Sequence, residues 1–114
     1  MEWITDTDGQ SAPRLAQARP GRSLLAEYFA QVREALATLA SDGLVHGDLS
    51  PYNILATGER IVVIDLPQVV DLVGNPRGPD FLMRDCANVC RWFSSRGLEA
   101  DEHALFADLL AHAF

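Results

Sequence analysis

Two short apolar runs flank Thr57-Gly58-Glu59, and no other local pattern in the chain limits its folding as tightly. Ile54-Leu55-Ala56 before the turn and Arg60-Ile61-Val62-Val63-Ile64 after it predict a β-hairpin. The second strand is apolar on both faces, so it is expected to be buried. Polar residues stand at both open ends. The loop His46-Gly47-Asp48-Leu49-Ser50-Pro51-Tyr52-Asn53 leads in, and Asp65 follows the last strand residue. Strands of about four residues, rising ~3.3 Å each, return the chain to its starting point. The hairpin is therefore expected to bring Asp48, Asn53 and Asp65 together.

The rest of the pattern is helical. Apolar residues at Leu25, Phe29, Val32, Leu36 and Leu39 predict a helix over 24–40, with Ser23 as its cap and Ser41-Asp42-Gly43 as its stop. Leu44-Val45 reads as a brief extended piece. Asn75-Pro76-Arg77-Gly78-Pro79 reads as a loop. A second helix is expected over 80–96, with Phe81, Asp85, Val89 and Trp92 or Phe93 on one side, and Asp101 can cap a last helix carrying Leu105, Phe106, Leu109 and Leu110. The fold class is α+β, mainly helical with one small β element. At 114 residues and 48% apolar composition, the chain can bury one modest core. A formal net charge of −7 without any basic block speaks against binding DNA or RNA through a charged face. No apolar run suits a bilayer, and no charged-then-apolar leader opens the sequence. A cytoplasmic, reducing setting is the expectation. Cys86 and Cys90, one helical turn apart, read as small residues at a buried face.

Phosphoryl transfer asks little covalent chemistry of a protein: the acceptor must be held in line and the phosphate charge neutralised by metal. A carboxylate can orient the acceptor and take its proton, the role expected of Asp48. Mg²⁺ prefers hard oxygen ligands, which the Asn53 amide and the Asp65 carboxylate supply. Each of these residues taken alone is equally a turn former; their combined order between apolar strands favours the chemical reading. His46 is expected to order the loop from a buried position. Asp85, on the apolar side of its helix, is expected to anchor backbone groups or an Arg, since an unpaired charge there would be costly.

The loop at His46–Asn53 is similar to that of protein kinases and of antibiotic phosphotransferases. With Asp48-Leu49-Ser50-Pro51-Tyr52-Asn53-Ile54-Leu55, Ile64-Asp65-Leu66-Pro67-Gln68-Val69-Val70 and Phe81-Leu82-Met83-Arg84-Asp85-Cys86-Ala87-Asn88-Val89, the chain resembles the RIO family of atypical serine/threonine protein kinases. The resemblance implies a kinase-like C-terminal lobe, with residues 1–15 as hinge and linker and 16–114 as the helical lobe. It implies ATP and Mg²⁺ as cofactors, Asp48 as the catalytic Asp, Asn53 and Asp65 on the metal, and backbone groups of Glu2 and Ile4 at the adenine. Some members of the family are thought to phosphorylate the metal-binding Asp transiently, and some assist maturation of the small ribosomal subunit. The partner it implies is a protein substrate of unspecified identity.

The chain departs from the family pattern in ways that leave other readings open. Its nine basic residues are all Arg, so a phosphate-binding Lys has no position in it, and neither does a Gly-rich phosphate loop. An N-lobe would come from a preceding segment or from another chain, and the stretch by itself is expected to bind nucleotide weakly and to show little or no turnover. Gly47 stands where many kinases carry an Arg. The alternatives are a pseudokinase or binding module that keeps the lobe without turnover, and an aminoglycoside-type phosphotransferase fragment.

Overall fold

The computed structural model describes residues 14–64 and 70–113. Helix α1 spans Arg22–Ser41, strand β1 Leu44–Val45, β2 Ile54–Thr57, β3 Arg60–Val63 and β4 Val70–Asp71. Helix α2 spans Gly78–Ser95 and α3 Glu102–Ala113, while single 3₁₀ turns occur at Leu15–Gln17 and Pro51–Asn53. The architecture is α+β and mostly helical, as expected. No helix among the described residues is long and apolar enough to cross a membrane.

The hairpin forms as its sequence requires. β2 and β3 pair antiparallel with Ile54 opposite Val63 and Thr57 opposite Arg60, turning through Gly58-Glu59. Because side chains alternate across a strand, the hairpin is two-faced. Ile54, Ala56, Ile61 and Val63 enter the main core, while Leu55, Val62 and Ile64 form a separate buried cluster. Burial on both faces accounts for the unbroken apolar run in β3.

Helix α1 lies against the core face through Leu25, Val32 and Leu36, with Tyr28 also buried. It also grips the hairpin turn by side chains. Gln31 donates from Nε2 to the Glu59 carbonyl at 2.7 Å and accepts at Oε1 from the Ile61 amide at 2.9 Å. The Tyr28 hydroxyl donates to the Gly58 carbonyl.

Several expectations about element ends need correction. Gly21, not Ser23, occupies the α1 N-cap, because Gly21 is itself extended while its carbonyl already accepts from the Leu25 amide. Leu44-Val45 is the brief extended piece expected, and it pairs as well: Leu44 stands opposite Asp71 and Val45 opposite Val70. α2 begins at Gly78 because Pro79 fits the first helical turn, where no N–H is needed. Its buried side is Leu82, Asp85, Cys86, Val89, Cys90 and Phe93, so Phe81 and Trp92 sit at its margins instead of its centre. Asp101 caps α3 as expected, accepting from the amides of His103 and Ala104.

Candidate active site

The loop from His46 to Asn53 is held almost entirely by side chains reaching its backbone. Asp85, fully buried on α2, accepts from the Gly47 amide at 2.8 Å with one carboxylate oxygen and from the Leu49 amide at 3.0 Å with the other. One turn further along α2, Asn88 donates from Nδ2 to the Leu49 carbonyl at 3.2 Å. His46 is fully buried beneath the loop. Its Nδ1 accepts from the Asp48 amide at 3.2 Å, which leaves Nε2 as the donor to the Ile64 carbonyl at 3.0 Å. Both residues take the structural roles read from the sequence.

The electrostatics of Asp85 follow from this geometry. Burial pushes its carboxyl above the usual carboxylate range, and the amides of Gly47 and Leu49, then His46 and Arg84, oppose that rise. Two amide donors on two separate oxygens suit a carboxylate acceptor. The α2 anchor is thus a buried acid with both carboxylate oxygens turned on one loop.

Asp48 itself is exposed. Among the described residues no hydrogen bond or ion pair engages its carboxylate. Its carbonyl, in contrast, accepts from Asn53 Nδ2 at 2.7 Å. With the amide nitrogen turned inward, the oxygen of the Asn53 amide is the end left for a ligand. The Asn53 backbone is fixed as well, since its N–H donates to the Ser50 carbonyl and its carbonyl accepts from the Ile64 amide, both at 2.9 Å. The structure therefore brings Asp48 and Asn53 together and ties Asn53 to Ile64, the residue that precedes Asp65. Asp65, Glu2 and Ile4 lie outside the described residues.

Among the described residues no group of three or more His, Cys, Asp or Glu side chains could hold a metal ion. A metal here would need the Asn53 amide oxygen together with a carboxylate such as Asp65, a hard oxygen set that suits Mg²⁺. Asn88 was not legible as a loop anchor. A lone Asn on a helix looks like any solvated polar residue until the loop is seen across from it.

The chain is similar to a known family over most of its length. The family profile of the RIO domain matches residues 1–105. The RIO-type serine/threonine-protein kinase Rio1 of Haloferax volcanii is 42% identical over 106 residues, which cover 93% of this chain and 35% of that protein. The Rio1 protein of Thermoplasma acidophilum is 37% identical over 101 residues, covering 89% of this chain and 50% of that one. Human serine/threonine-protein kinase RIO3 is 33% identical over 93 residues, covering 81% and 18%. The chain spans about a third of the length of the first relatives it matches. Among solved structures, the Rio2 kinase of Chaetomium thermophilum, crystallised as an ADP/Mg²⁺-phosphoaspartate complex, superposes with a TM-score of 0.70 at 23% identity. That match covers 90% of this chain and 33% of that one, and it shows a shared kinase-like fold.

Proposed function

The chain belongs to the RIO domain family, and on that premise we propose that it is the C-terminal lobe of a RIO-type serine/threonine protein kinase or ATPase. In this reading Asp48 is the catalytic Asp, while Asn53 and Asp65 hold Mg²⁺. Residues 1–15 form the hinge and linker, where the backbone of Glu2 and Ile4 meets the adenine of ATP. Residues 16–114 form the lobe. The Gly-rich loop and the Lys that reach the phosphates from the other side come from an N-lobe. The protein substrate, and any link to the ribosome, follow the family alone.

One observation carries the reading most directly. The backbone of the loop is locked, yet the Asp48 carboxylate is exposed and unengaged among the described residues, with the Asn53 amide bonded to the same residue's carbonyl. A loop that only turned the chain would have no need of a buried acid, a buried imidazole and an Asn to fix it. What the residues do follows from placement. Asp48 accepts the proton of the acceptor hydroxyl or water and holds it in line. Asn53 presents an oxygen whose direction is set by its own amide bond to Asp48. Bound Mg²⁺ supplies neutralisation of phosphate charge.

The test compares the protein carrying its N-lobe with its Asp48→Asn, Asn53→Ala and Asp65→Asn variants, measuring Mg·ATP affinity by calorimetry and phosphate release or transfer by radiolabel. Asp48→Asn should lower turnover by about 10²–10⁴-fold, as for loss of a general base, with Mg·ATP affinity kept. Asn53→Ala and Asp65→Asn should lose the Mg²⁺-dependent part of binding. Equal turnover in Asp48→Asn and wild type would refute the assignment. Mg·ATP binding without any turnover in the wild type would leave the binding-module reading in its place.

A further inference from the structure

The carbonyl of Gly47 is the main-chain group on which Asp48 most directly depends. It accepts from the guanidinium of Arg84, the residue before Asp85 on α2. That guanidinium lies over the Phe81 ring, 5.4 Å from its centroid, and Arg77 stacks on the same ring at 5.7 Å. Neighbouring residues of one helix thus take opposite ends of the loop backbone, a cation for the carbonyl and a carboxylate for the amides.

We propose that Arg84 is a positioning residue for Asp48, fixing the peptide plane between Gly47 and Asp48 and with it the direction in which the catalytic carboxylate leaves the chain. The inference rests on the reading of Asp48 given above. A peptide unit is rigid, so holding both ends sets the dihedral angles on either side. Here the carbonyl end is held by Arg84 and the N–H end by His46 Nδ1. The plane needs holding because Gly47, at φ 88°, has no Cβ to resist rotation. A glycine beside a catalytic group is a hinge unless something pins it. Stacking on Phe81 orders the guanidinium before it bonds, and its planar fork aims the donor, which a flexible ammonium does less well.

The experiment pairs Arg84→Gln with Arg84→Lys in the otherwise unchanged protein that carries its N-lobe. It reads amide hydrogen exchange at Gly47, Asp48 and Leu49 by NMR alongside kcat and KM for Mg·ATP. Arg84→Gln should speed exchange at those amides by about tenfold and lower kcat by about 10–100-fold, the range for a misaimed catalytic group. KM should stay within about twofold, since no binding group has been removed. Arg84→Lys, which keeps a cationic donor, should recover part of both effects. Unchanged exchange in Arg84→Gln overturns the proposal. So does a loss confined to KM, or one that Lys and Gln share equally. If the wild type shows no turnover with the N-lobe present, the kinase reading fails and amide exchange alone decides whether Arg84 holds the loop.

Discussion

Gly47 holds a positive φ of 88° within a buried turn, a backbone state that costs an L-residue with a Cβ about 1–2 kcal/mol. Gly47→Ala should lower stability by about that amount, read from the midpoint of urea unfolding, and weaken the bonds to Asp85 with it. The cysteines make the opposite point, since their environment silences them. Burial pushes the thiol of Cys86 up to about 12 and that of Cys90 to about 11. The thiolate is the reactive form, so both should resist alkylation at pH 8 in the folded protein and react quickly in denaturant, as mass spectrometry would show. Asp85 was legible at this scale because a carboxylate on an apolar helix face must find donors. Arg84 and Asn88 were not, because an Arg or Asn at a helix surface predicts nothing until its partner is known.

Elements were legible where the pattern is local. The hairpin and three helices follow from periodicity, and their ends moved by two residues or fewer wherever Pro or Gly set the boundary. The pairing of β1 with β4 was invisible, because two-residue strands carry no period and meet across a long stretch of chain. The grip of α1 on the hairpin turn was equally hidden, being made by Gln31 and Tyr28. A second tie joins α1 to α3: Arg33 donates to both Asp108 oxygens, at 2.7 and 3.0 Å, and to His112 Nε2 at 3.1 Å. The Arg33 hydrogen bond holds the Asp108 carboxyl below its ordinary range. A carboxyl depressed on folding lends stability that is full above its unfolded value, about 3.9, and vanishes as pH falls through its folded value. Asp108→Asn should therefore cost at most about 1 kcal/mol near pH 6, as for a partly exposed pair. The difference from wild type should close as pH drops below about 4, tracked by thermal melts across pH.

At the scale of the molecule, the fold class and the nearness of Asp48 to Asn53 could be read from sequence, because their spacing is local and the loop is shaped in part by the side chains of His46 and Asp85. A loop shaped by a ladder of main-chain bonds would have left no such signature. If the lobe takes nucleotide through Mg²⁺, ligand binding must raise stability by mass action, about 2.7 kcal/mol at a hundredfold excess over Kd. Mg·ATP should lift the melting temperature in a titratable way, EDTA should reverse it, and Asp65→Asn should blunt it.

The saturated backbone of residues 47–49 has one more consequence. All three N–H groups and all three carbonyls there are already spoken for by His46, Asn53, Arg84, Asp85 and Asn88. An incoming phosphate finds no spare amide along this stretch, unlike in the glycine cradles that wrap anions with main chain. Whatever anion this lobe accepts must be bridged by a cation or caught from elsewhere, so divalent-ion supply would set its occupancy.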